Sequence, residues 1–214
     1  MNREDCPTLR AGDIVLVNHR PGWNPLTWGS YIVGVMQRRI GEEPTLFKHV
    51  GMMVSAFEMY ESAIWRSRIV DLFESYGDAG KYDVMIARDT GLTPTQIIRL
   101  THLARQSCGQ PYGFLKIGAH FGDWLLTMGW GAVGGRSDVY AFRWLCRLPH
   151  FPICSYKIAR LRESIHRPFG KPAEVIQPDD IGDEILRCPA SGPWRIVFET
   201  DRLEARLADT RSPR

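Results

Sequence analysis

The chain has 214 residues, 44% of them hydrophobic, enough to fill the core of one domain and too few for two of comfortable size. Its 27 basic residues against 24 acidic ones leave a formal charge of +3, too little to imply a nucleic-acid partner. The cysteines, at 6, 108, 146, 154 and 188, are odd in number and form no C-x-x-C pair, so neither a disulfide framework nor a zinc ribbon is indicated and a reducing compartment fits.

The first twelve residues carry Arg3, Glu4, Asp5 and Arg10 and no apolar run, so no secretory signal peptide is expected and the chain is cytoplasmic on synthesis. Gly12-Asp13 followed by Ile14-Val15-Leu16-Val17 reads as a turn feeding a buried strand. Residues 18 to 46, rich in Gly, Pro, Trp and Arg, form a connecting and substrate-facing segment, with a helical turn or two over Tyr31 to Met36. Further strands are expected over His49 to Val54, Met59 to Trp65, Arg68 to Leu72 and Tyr82 to Ala87. Their connections are too short for crossover helices, which predicts an antiparallel sheet.

Thr93-Pro94 starts a helix with a capping hydroxyl and a first-turn proline, and Ile97, Ile98, Leu100, Leu103 and Ala104 give it a buried stripe running to about Ser107. Helical or mixed segments follow over Phe114 to Met128 and Val139 to Arg147. The most apolar region, Phe114 to Gly135, is interrupted by Lys116, His120, Asp123 and several glycines, so no transmembrane segment is expected. Ser155 to His166 reads as a helix beginning at Cys154, and Trp194 to Phe198 as a last strand. The charged stretch 201–214 is expected to be a flexible tail, leaving residues 1–200 as a single domain of α+β class.

Cys154 opens a helix, where free backbone N–H groups and the positive end of the helix dipole favour the thiolate and could bind an oxyanion. A small buried hydrophobe, the usual fate of a free cysteine, is the competing reading. His49 begins a strand and could present its imidazole to a cleft as a base; a buried histidine satisfied by backbone is the alternative. Glu61 lies on the next strand, where a hairpin could set it beside His49 to orient the ring, unless it is an edge-strand carboxylate facing water. Glu58 competes with it but is expected in a turn. Cys146, His150 and Cys154 recur at intervals of four, yet Pro149 and Pro152 break any helix there and no fourth zinc ligand is evident. The Gly-rich stretch 129–135 lacks the Lys-Ser/Thr ending of a phosphate loop. Neither a metal nor another cofactor is expected.

Gly12-Asp13-Ile14-Val15, Lys48-His49-Val50-Gly51-Met52, Glu61, Gln110-Pro111-Tyr112-Gly113 and Ile153-Cys154-Ser155 occur in that order. This pattern resembles the circularly permuted NlpC-like, papain-fold family that includes YiiX-like proteins. The resemblance extends over residues 10 to 198. It implies a permuted papain-like fold, with a helix beginning at Cys154 packed on an antiparallel sheet that bears His49 and Glu61. It further implies a cysteine amidase or peptidase in which Cys154 is the nucleophile, His49 the base and Glu61 the residue that orients the base.

Peptidoglycan-type peptides are the substrate class implied, with a phage or bacterial origin and delivery by a phage particle, a pore or a secretion system. A lipid acyltransferase or thioesterase of the same superfamily, motivated by the tryptophans of the insert 113–150, and a catalytically silent binding module are the alternatives. The chain departs from the family pattern in two places: Lys48 replaces a small hydroxyl residue, and Tyr156-Lys157 replaces an acidic-apolar pair. A lysine there would favour a thiolate and oppose an imidazolium.

Overall fold

The computed structural model describes residues 1–6, 8–20, 46–63, 66–111 and 153–211. In chain order these form β1 (Ile14–His19), β2 (His49–Met53), β3 (Glu58–Ser62), β4 (Ser67–Asp71), α1 (Leu72–Tyr76), β5 (Tyr82–Asp89), α2 (Pro94–Gln106), α3 (Cys154–Glu163), α4 (Pro178–Leu186), β6 (Trp194–Glu199) and α5 (Asp201–Arg211). The six strands make one sheet in the order β4-β3-β2-β1-β5-β6, and every neighbouring pair is antiparallel. The fold is therefore mixed α+β, with a six-stranded antiparallel sheet and five α-helices among the described residues.

β1 lies in the middle of the sheet, paired with β2 on one side and β5 on the other. Side chains alternate between the faces of a strand, so a run of four apolar residues is stable only where both faces are covered. Both are. Ile14 and Leu16 join Val50, Met52, Tyr60 and Met85 in the larger core, which α2, α3, α4 and α5 close with Leu100, Ile158, Ile181 and Leu203. Val15 and Val17 join Met53, Met59, Val84 and Ile86 on the other face, which is closed by Leu72 and Tyr76 of α1 and by Cys6 and Leu9.

α2 begins as its sequence indicates, with the Thr93 hydroxyl accepting from the Gln96 N–H and Pro94 in the first turn. Three helices, α1, α4 and α5, were not expected from the pattern. α1 is only five residues long, and its start is set by Asp71, whose carboxylate accepts from the Phe73 and Glu74 N–H groups. α4 opens on Pro178 with Asp179 and Asp180 in its first turn, and buries Ile181 and Ile185 four residues apart.

The charged segment 201–211 is helical rather than a flexible tail, because Leu203 and Leu207 lie on one face at helical spacing and are buried in the larger core. Glu58 lies on β3 rather than in a turn, opposite Asp71, and its carboxylate pairs with Arg105 at the surface. The expected helical segments at 31–36, 114–128 and 139–147 lie outside the described residues. No helix among the described residues is long and apolar enough to cross a membrane.

Candidate active site

β2 starts at His49, and two residues later Gly51 stands opposite Glu61 of β3. Residues two apart on a strand share a face, so His49 and Glu61 are diagonal neighbours on one side of the sheet, a separation that long side chains bridge. Gly51 lies between them. A Cβ there would come within 2.7 Å of the Met59 sulfur and 2.9 Å of the Tyr60 carbonyl oxygen, so the close packing of β2 on β3 leaves no room for a side chain.

His49 Nε2–H donates to Glu61 Oε2 at 2.8 Å. The same oxygen accepts from the Tyr76 hydroxyl at 2.5 Å, and Oε1 accepts from Arg68 Nε at 2.8 Å. Arg68 stands opposite Glu61 on β4, so cross-strand register delivers the cation to the carboxylate. Glu61 is fully buried, and β3 is an interior strand, which removes the reading of a solvent-facing edge carboxylate. Burial works against its charge. The hydrogen bond and charge of His49, with help from Tyr76 and Arg68, outweigh that cost and hold the carboxyl down to about 2.

With Nε2 committed to Glu61, Nδ1 is the nitrogen left for Cys154, to which the imidazole is also hydrogen-bonded. Burial opposes an imidazolium at this point, but the hydrogen bonds to Cys154 and Glu61 outweigh it and raise His49 to about 10. Cys154 is the first residue of α3 and is buried. Its burial opposes a thiolate, but His49 and the backbone N–H groups of Val50 and Ser155 outweigh this and hold the thiol below its ordinary value. The preceding residue, Ile153, provides no side-chain cap for α3. The three side chains singled out in the sequence thus come together, with the sulfur and the ring favouring a thiolate–imidazolium pair.

One short segment holds both halves of this arrangement. The Ser155 hydroxyl donates to the Ile176 carbonyl at 2.7 Å, which ties the start of α3 to the approach of α4. Asp179, in the first turn of α4, accepts from the Leu46 and Phe47 N–H groups at 2.9 and 3.0 Å and so anchors the chain that leads into His49. One turn further, Gly182 seats the buried Phe47 ring; a Cβ at that position would lie 2.3 Å from the ring edge. Asp179 ionises less readily than Glu61, pushed up to about 6 by burial despite its two backbone donors.

Lys48 does not engage the thiol. Its ammonium donates to the His19 carbonyl at 3.3 Å, and burial lowers its pKa. Lys157 donates to Gln110, which joins one motif position to the first turns of α3. His19 packs edge-on against Tyr76 and Tyr82, with ring centroids at 6.4 and 5.1 Å, and burial together with the charge of His49 pushes it down to about 4.

Sequence reasoning missed Arg68, Tyr76, Asp179 and Gly182. A cation at the cross-strand partner of Glu61 was findable once β3 and β4 were aligned, and the Pro-Asp-Asp start of α4 was a helix signal. Tyr76 left no trace in the pattern. Among the described residues no group of three or more His, Cys, Asp and Glu side chains is placed to hold a metal ion; Cys146 and His150 lie outside them.

No family model matches the chain, and no curated protein does either. Among solved structures, it is similar to the crystal structure of the metalloprotein yiiX from Escherichia coli, at 15% sequence identity and a TM-score of 0.43, over 76% of this chain and 69% of that one.

Proposed function

We propose that this protein is a cysteine hydrolase that cleaves an amide bond in a peptide, with Cys154 as nucleophile, His49 as base and Glu61 as the group that orients the base. The observation that carries this reading is the contact of a helix-start thiol with an imidazole whose far nitrogen is held by a buried, ionised carboxylate. An isolated buried cysteine has no use for such a partner, and the contact speaks against a silent binding module.

In the proposed reaction the Cys154 thiolate attacks the substrate carbonyl carbon and forms a carbon–sulfur bond. The carbonyl electron pair moves to oxygen, where the N–H groups opening α3 are available as donors. His49 then gives its Nδ1 proton to the leaving amine, the carbon–nitrogen bond breaks, and a thioester remains on Cys154. Water, deprotonated by His49, attacks the thioester, releases the carboxylic acid product and restores the thiol pair. Glu61 remains ionised throughout, keeping the Nε2–H tautomer and stabilising the imidazolium.

Within the same proposal, the chain is a single permuted papain-like domain in which the base precedes the nucleophile, since a triad is defined by geometry rather than chain order. Peptidoglycan-type peptides are the proposed substrates, on the strength of the motif resemblance. The lipid acyltransferase reading leaned on the tryptophans of residues 113–150, which lie outside the described residues, and no observation favours it.

The test is alkylation by iodoacetamide across pH, with the modified cysteine located by mass spectrometry, in the parent and in His49→Ala, followed by turnover of peptidoglycan-derived peptides. Cys154 should react first, well below the pH at which an ordinary thiol ionises, and lose that advantage in His49→Ala. A Cys154 no faster than the exposed Cys108 would overturn the reading.

A further inference from the structure

Tyr76 touches two of the three side chains and belongs to neither of their strands. It is the last residue of α1, buried against the face of the sheet that carries His49 and Glu61. Its hydroxyl donates to Glu61 Oε2, the same oxygen that accepts the His49 Nε2–H. Its ring lies nearly parallel to the imidazole, with centroids 6.0 Å apart and planes 22° from each other. Tyr82 and His19 meet the ring edge-on, so the phenol is held from several sides. The hydroxyl is buried with the carboxylate as its acceptor, so it is committed to Glu61 in every state in which Glu61 is charged.

Two donors on one carboxylate oxygen divide its negative charge between them. A carboxylate oxygen serving the imidazole alone would hold the proton on His49 more firmly, and amide cleavage requires that proton to leave for the amine. We infer that Tyr76 is a positioning residue that shares Glu61 Oε2 with the imidazole and so limits how firmly His49 keeps its proton. The inference rests on the reading of His49 as the base. Among the described residues, the titratable and charged groups around the imidazole are Cys154 of α3, Glu61 of β3, His19 of β1 and Tyr76 of α1, with Arg68 of β4 acting through the carboxylate.

The experiment follows the His49 ring proton by NMR titration in the Cys154→Ala chain, where, among the described residues, Glu61 is the remaining side-chain partner of the imidazole nitrogens. Adding Tyr76→Phe removes the hydroxyl and keeps the ring; the His49 midpoint should rise by about half a pH unit or more. In a Glu61→Gln background the same substitution should leave the midpoint where it was. A midpoint that stays or falls in Tyr76→Phe, or rises equally with and without the carboxylate, overturns the inference.

Should Tyr76→Phe fail to fold, replacement of tyrosine by 3-fluorotyrosine supplies a stronger donor of nearly the same shape. It should lower the midpoint when Glu61 is present and leave it unmoved in Glu61→Gln; an unmoved midpoint with Glu61 present overturns the inference. Because the titration is read without the thiol, an inert Cys154 would sink the hydrolase reading while the Tyr76–Glu61 coupling is judged on its own.

Discussion

His49 and Glu61 are joined by a 2.8 Å hydrogen bond although 12 residues separate them, because Gly51, two places along β2 from His49, pairs with Glu61 on β3. The pairing register alone brings them together. A slip of one residue would turn Glu61 to the opposite face and leave the imidazole without its acceptor.

Turnover should follow a bell-shaped pH profile. The Cys154 thiol lies below its ordinary value and His49 is raised to about 10, so the thiolate–imidazolium pair persists through neutral pH. Activity should be lost on the alkaline side as pH climbs through about 10 and His49 can no longer protonate the leaving amine. A rate measured on one amide substrate across pH, with Cys154→Ala as the inactive control, checks this. Cys6, which burial and the neighbouring Asp5 push up to about 11, should be alkylated later than Cys154 in the folded chain.

Glu61→Gln should lower activity less than Cys154→Ala, by roughly 10² to 10⁴-fold, since an amide can accept one hydrogen bond but cannot balance an imidazolium. It should also change the acid limb of stability. The folded carboxyl titrates at about 2 against an ordinary 4.5, so its ionisation stabilises the fold above 4.5 and that contribution is lost as pH falls towards 2. Thermal melts between these limits should fall steeply in the parent and more gently in Glu61→Gln.

Asp179 has the opposite sign. Its folded value of about 6 stands above the ordinary 3.8, so stability is fullest below 3.8 and declines as pH rises through 6. Asp179→Asn keeps an acceptor for the Leu46 and Phe47 N–H groups without the buried charge. It should melt no lower than the parent at pH 8 and lose any advantage in acid. Asp179→Ala leaves both amides without their acceptor and should destabilise the fold by about 1–3 kcal/mol while slowing turnover, since these amides anchor the approach to His49.

Leu203→Ala should cost about 2–5 kcal/mol in chemical denaturation, because Leu203 is fully buried in the larger core. An unchanged midpoint would mean that α5 does not pack as described.

Gly182→Ala should be destabilising by about 1–3 kcal/mol, because its methyl would meet the buried Phe47 ring at 2.3 Å and neither group has free space. The reading predicts a lower melting temperature together with a lower alkylation rate at Cys154, since Phe47 leads directly into His49.

Local pattern was enough for much of the secondary structure. Ile14 to Val17 declare a buried strand by unbroken hydrophobicity, and Thr93-Pro94 declare a helix start by capping chemistry, because both effects act over a few neighbouring residues. The short connections between His49 and Ala87 required antiparallel pairing, since chain length cannot span a crossover. In the segment 201–211 the charge density hides two leucines whose burial depends on a sheet formed much earlier in the chain, so its helix is not legible locally.

The residue types at positions 49, 61 and 154 mark them as candidates for thiol chemistry, and the motif resemblance implies a role for each, but neither sets the contacts among them. Whether Glu61 meets His49 or faces water depends on the β2–β3 register and on which strand lies at the sheet edge. Tyr76 and Arg68 reach Glu61 from α1 and β4, and Asp179 of α4 anchors the chain leading into His49; each does so through tertiary contacts between elements rather than through any local motif. Sequence determines local conformation through interactions among near neighbours; the ionisation of a buried thiol, imidazole and carboxylate is decided by groups distant in the chain that only the tertiary fold brings within hydrogen-bond reach.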